Sequence, residues 1–149
     1  MYFRKSLLLA FSSLILFAAC KKQGTNVELT GGLVPVLSAN LSGTIPLSSA
    51  TGSNQAIAFK WTNPSYSFSN GLSSLNVTYN LEFDTAGANF TSPNMQTVQI
   101  SPDLGTSFTV DNLNSLIANG LQLAFGQSHT IQVRVVSFIA PYTSGSPEI

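Results

Sequence analysis

The stretch LNVTYNLEF, from Leu75 to Phe83, alternates apolar and polar side chains over nine residues without a break. Successive side chains of a strand point to opposite faces. Leu75, Val77, Tyr79, Leu81 and Phe83 therefore form one inward face, with Asn76, Thr78, Asn80 and Glu82 outward. A period of two is incompatible with a helix. This chain has to build a sheet, and something has to cover its apolar face. The same alternation recurs in AIAFKW, where Ile57, Phe59 and Trp61 share one side and Ala58 and Lys60 the other. It returns in HTIQVRVVSF, with Ile131, Val133 and Val135 aligned. Shorter strand signals cover Gln96–Ile100 and Ser107–Val110.

Between these runs the punctuation is that of turns. NPSYSFSNG reads as a turn-rich connection, and Pro35 and Pro46 restrict LVPVLSANLSGTIPL to edge or bent strand pieces, because proline cannot donate to a ladder. Asp111 is placed to cap one short helix, NLNSLIAN, with Leu113, Leu116 and Ile117 at helical spacing and Gly120 ending it. Short alternating strands with one brief helix predict two packed antiparallel sheets.

The N-terminus predicts export. Arg4 and Lys5 precede an apolar run from Leu7 to Ala19, the length of a signal-peptide core and shorter than the ~20 residues a membrane-spanning helix needs. Ala18 and Ala19 lead into Cys20, the only cysteine. This arrangement resembles a lipobox, in which the thiol is acylated and becomes the mature N-terminus, although Phe17 stands where leucine is usual and Leu16 lies one place earlier. Several acyl chains on Cys20 would anchor the protein stably in a lipid membrane. Disulfides are excluded. The expected organisation is a signal peptide over 1–19, a lipidated cysteine and flexible tether over 20–32 ending in Gly31-Gly32, and one sandwich domain over 33–149.

Charge is sparse, at 8 % of residues. Beyond Cys20 the bases Lys21, Lys22, Lys60 and Arg134 stand against Glu28, Glu82, Asp84, Asp103, Asp111 and Glu148, a net charge of −2. Nothing there could hold a phosphate backbone, so nucleic acid is not an expected partner. Nothing calls for a metal or any other cofactor. His129, the sole histidine, reads as a turn residue ahead of the last strand. Glu82 and Asp84 share one strand face at roughly 6–7 Å from the strand rise. Paired glycosidase carboxylates have a similar separation, but these two read as a solvated strand end. No catalytic constellation appears, and the chain is not expected to be an enzyme.

A glycan site would need an exposed aromatic platform. The phase of Trp61 places it in the core, while Tyr66 and Phe68, in the connection after that strand, are the candidate ligand-binding residues, and Tyr142 near the C-terminus is also free of a strand.

The order FKW, VTYNLEFD and IQVRVVS resembles a fibronectin type III/immunoglobulin-like domain. With AFKWTNPSYS, VTYNLEFDTAGANFTSP and VDNLNSLI it is similar to the N-terminal domain of the SusE family, outer-membrane lipoproteins of Bacteroidetes starch-utilisation-type systems. The resemblance covers residues 33 to about 138. It implies an all-β sandwich with one short helix before the last strand. Because the chain stops at PYTSGSPEI, soon after that strand, a final strand is expected to be missing and the sequence to be a fragment or a reduced family member.

The implied function is a non-catalytic cell-envelope lipoprotein of a glycan-binding and uptake system. The domain would be a spacer near the membrane, beside an uptake transporter and surface glycan-binding proteins, and polysaccharide would be held only by domains absent here. The alternative is an adhesion or assembly module that offers a sheet edge to a partner protein, and a third reading is the accessory sandwich of a surface glycosidase. Asp84-Thr85-Ala86 resembles the tripeptide at which Bacteroidetes O-glycosylate exported proteins, making Thr85 a candidate glycosylation site. The Asn-x-Ser/Thr sequences at Asn40, Asn76 and Asn89 carry little meaning in a bacterium. Lys21-Lys22-Gln23 lacks the acidic residues associated with surface display, which leaves either face of the outer membrane open.

Overall fold

A computed structural model describes residues 27–71 and 76–139. Residues 1–19, read as a signal peptide, Cys20, the Lys21-Lys22 pair, Leu75 and Tyr142 lie outside the described residues.

Among the described residues eight strands follow in order: β1 (Leu29–Gly31), β2 (Leu37–Ala39), β3 (Gln55–Trp61), β4 (Ser67–Phe68), β5 (Val77–Thr85), β6 (Gln96–Ile100), β7 (Gly105–Thr109) and β8 (Ile131–Ile139). They form two three-stranded sheets, β2-β3-β7 and β6-β5-β8, and a small two-stranded sheet, β1-β4. Every pairing is antiparallel. The expectation of antiparallel sheets with one short helix is therefore met.

The alternation read in the sequence sets the core. Leu81 pairs with Val98 on one side and Val135 on the other, and Phe83 faces Val133. Opposed residues of a ladder project to the same face, so these side chains join Val77 and Tyr79 on the inner side. The facing sheet supplies Ile57, Phe59, Trp61 and Phe108, all buried in one cluster. Phe59, Phe83 and Phe108 meet edge to face at centroid distances of 5.8, 6.1 and 5.4 Å, the geometry that aromatic quadrupoles favour.

Three expectations need correction. Residues 28–31, read as the end of a tether, belong to the fold. Val27 is buried, β1 pairs with β4, and the Glu28 carbonyl accepts from the Ser69 amide at 2.8 Å while its amide donates to Ser69 Oγ at 3.0 Å. The two glycines serve close packing there: a Cβ on Gly31 would lie 2.7 Å from Ser67 Oγ, and one on Gly32 2.5 Å from the Tyr66 ring. The connection NPSYSFSNG accordingly contains β4 and buries Phe68.

The helix, α1 (Val110–Ser115), starts before Asp111, and its cap is Thr109, which accepts from the Asn112 amide at 3.2 Å. Asp111 lies in the first turn instead, where its charge suits the helix N-terminus, and its amide donates to the Gly52 carbonyl at 2.9 Å. Beyond Ser115 the backbone widens into a π-helical turn, Leu116–Gly120.

The third correction concerns the outer face of β5. Thr78, Glu82 and Asp84 do point away from the core, yet they are only 8, 9 and 0 % exposed. The connection between β5 and β6 folds back onto Asp84 through Ser92 and reaches Glu82 through Phe90 and Arg134, while Thr78 lies against Ser101 beyond β6.

Candidate binding surface

The outer face of β5 is closed by a polar lock. Register places Arg134 of β8 opposite Glu82, and its Nε donates to Glu82 Oε2 at 2.6 Å. The guanidinium also covers the Phe90 ring at 4.2 Å from its centroid, so the β5–β6 connection is pinned by a cation–π contact as well. Asp84 Oδ1 accepts from Ser92 Oγ at 2.5 Å and from the Thr85 amide at 2.8 Å, and Oδ2 from the Ser92 amide at 3.3 Å. The Ser92 hydroxyl, helped by these amides, holds the Asp84 carboxyl below the usual carboxylate range against the opposing effect of burial. These two carboxylates are thus committed to the fold. They are not the solvated strand end that their spacing implied.

The other sequence candidates fall as follows. Trp61 is buried and tilted against Tyr79 at 5.5 Å, so it presents no platform. Phe68 is 4 % exposed and has no ring face open to a ligand. Tyr66 is half-buried. Its hydroxyl lies 2.8 Å from Ser137 Oγ and donates to the Ser137 carbonyl at 3.2 Å, tying β4 to β8. Burial, and then the neighbouring Tyr66, push the Tyr79 phenol above its ordinary pKa. Thr85 closes β5 opposite Ile131 and is half-buried, its Asp84 neighbour wholly so; the tripeptide is a strand end and not an open loop. His129 is exposed, and its Nε2 bonds the Ala124 carbonyl at 2.8 Å within the connection that leads into β8. Among the described residues no three His, Cys, Asp or Glu side chains converge as metal ligands.

One open feature went unnoticed in the sequence. A groove of about 540 Å³ runs between residues 29–35 and residues 135–137 of β8, with Tyr66 at its wall. Its rim is apolar: Leu29, Leu33 and Val34 are 55, 70 and 83 % exposed. No Asp, Glu, Lys, Arg or His lines it. The only sequence signal for it was LVPV, a run of large apolar residues in a segment too proline-bound to be a central strand.

Comparison with known families decides the affiliation. The family model described as SusE outer membrane protein matches residues 21–136, beginning at the residue after Cys20 and ending inside β8. The chain belongs to the SusE outer membrane protein family. The SusE match takes in β1 to β7, the first part of β8 and the segment ahead of β1. Membership places this SusE protein in the outer membrane. Searches among curated proteins and among solved structures return no match.

Proposed function

We propose that this SusE-family chain is a non-catalytic lipoprotein of a starch-utilisation-type glycan-binding and uptake system, anchored through Cys20, with its sandwich acting as a spacer beside the membrane. The observation that carries the reading is the family match over residues 21–136, which starts directly after the lipobox-like cysteine. Three observations support a spacer role: Trp61 and Phe68 are buried, Tyr66 is tied to Ser137, and the carboxylates of β5 are locked, which leaves Phe125, 74 % exposed, as the open aromatic among the described residues. Glycan would then be held by partner proteins or by further domains, alongside an uptake transporter.

We read the sandwich as immunoglobulin/fibronectin type III-like. The second strand of one sheet pairs with β7 and the long central strand of the other pairs with β8, as the B–E and C–F strands of such domains do.

Fractionation and affinity electrophoresis test the proposal. Cys20→Ser is expected to move the protein from the outer-membrane fraction to the soluble one, and its persistence in the membrane would refute the anchor. The full chain is expected to run through a gel containing soluble starch without retardation. Retardation would put a glycan site in the sandwich and end the spacer reading. Crosslinking in cells is expected to recover a porin-type transporter; recovery of none would remove the uptake system from the account.

A further inference from the structure

Val34 and Val36 are 83 and 67 % exposed, and Leu33 beside them is 70 % exposed. Their backbone is nevertheless held in place. The Leu33 amide donates to the Pro64 carbonyl at 2.7 Å, the Val36 amide to Thr62 Oγ1 at 2.9 Å, and the Thr62 amide to the Val36 carbonyl at 3.2 Å. Pro35 between the two valines is buried, which turns both of them outward. A contiguous exposed apolar patch is unusual on a monomer and marks an interaction site. In an immunoglobulin-like sandwich the groove beside β8 is the place of the chain's next strand. Val36 lies outside the lining of that groove.

These side chains sit at the end of the sandwich where the chain enters. Thr62 and Pro64 follow β3, whose last residue, Trp61, packs on Tyr79 near the start of β5, and Val77 there pairs with Ile139, the last residue of β8. Glu28 is bonded to Ser69 at this same end. Cys20 precedes Val27 by seven residues, so even a fully extended chain between them spans at most about 25 Å. An acyl anchor on Cys20 therefore keeps this end close to the membrane surface. The end is also uncharged: residues 29–59 and 62–71 contain no Asp, Glu, Lys or Arg. Approach to lipid there strips no ion of its water. Phe125, 74 % exposed, belongs to the opposite end, in the connection leading to Ile131, which pairs with Thr85 at the close of β5. The nine residues of β5 separate the two ends by about 27 Å.

We propose that Leu33, Val34 and Val36 insert at headgroup depth into the leaflet that holds the Cys20 acyl chains, so that the sandwich stands on the membrane by its entry end. This rests on the Cys20 anchor of the proposed function. Apolar side chains placed at the interface add a second contact to the acyl chains, and that contact fixes an orientation which a tether alone leaves free.

The test is fluorescence quenching in vesicles of phosphatidylethanolamine and phosphatidylglycerol that carry lipids spin-labelled near the headgroup. The acylated full chain is reconstituted with a nitrobenzoxadiazole label at Val34→Cys, Val36→Cys or Phe125→Cys, all exposed positions whose replacement leaves the core untouched. Cys20 is the only native cysteine and its thiol is acylated, so the introduced thiol alone takes the label. Labels at 34 and 36 are expected to lose most of their emission, and the label at 125 none. A label at Leu33→Cys is expected to be quenched too, and to recover when Val34→Asp and Val36→Asp are added while the protein still floats with the vesicles. Unquenched labels at 34 and 36 in floating protein would show a sandwich held off the surface by its tether, and overturn the proposal. Equal quenching at 34, 36 and 125 would show no preferred orientation and do the same. Labels at 34 and 36 shielded from iodide in detergent yet unquenched by lipid would mean that another part of this chain or a second copy covers them, again contrary to the proposal. An unacylated Cys20, read by mass spectrometry, would end the anchor reading itself and the docking with it.

Discussion

Asp84 shows how far one side chain's setting can depart from its sequence pattern. By alternation it belongs outside the core, and it is, yet it is fully buried and holds the β5–β6 connection through Ser92. Its folded-state pKa lies below the unfolded value of ~3.9, so its contribution to stability is present above that value and is lost as pH falls through the folded one. Ser92→Ala removes the largest cause of the depression. The variant is expected to melt at a lower temperature than the parent near neutral pH, with the gap narrowing as pH falls into the acid range. Melting curves collected across that range check this, and a gap independent of pH would show that Ser92 acts by packing alone. Glu82 and Arg134 were legible separately as charges on two strands. Their pairing was not, because it depends on the register of residues 52 positions apart.

At the scale of elements, the long strands announced themselves and their boundaries did not. β5 and β8 follow the period-two pattern closely, whereas β7 begins at Gly105, two residues before its sequence signal. Gly105 pairs with Lys60, and a Cβ there would lie 2.8 Å from the Phe59 carbonyl oxygen. Gly105→Ala must therefore push β3 and β7 apart, with an expected loss of about 1–3 kcal/mol in urea unfolding. Gly120→Ala is the contrast. Its Cβ would meet only the Gln96 side chain, at 2.7 Å, which can swing away, so the expected cost is below about 1 kcal/mol. If the two variants lose stability equally, close backbone approach is not what places a glycine at 105. The helix start was misread for a related reason: Thr109 and Asp111 are both competent caps, and only the path of β7 into α1 selects Thr109.

The whole molecule depends on a segment that reads as a linker. Residues 27–31 bury Val27 and cover Phe68, so a chain beginning at Leu33 is expected to lose on the order of 2–4 kcal/mol relative to one beginning at Val27. Equal urea midpoints for the two would return those residues to the role of a tether. The sequence by itself determined the all-β class, the faces of the main strands, the aromatic core and the family, because side-chain alternation, turn residues and their order are local properties of the chain. Only the tertiary structure decided that the outer face of β5 is closed, that two glycines pack β1 onto β4, and that β8 borders an apolar trough. Burial depends on which distant segment arrives over a face, and periodicity records the face but not its cover.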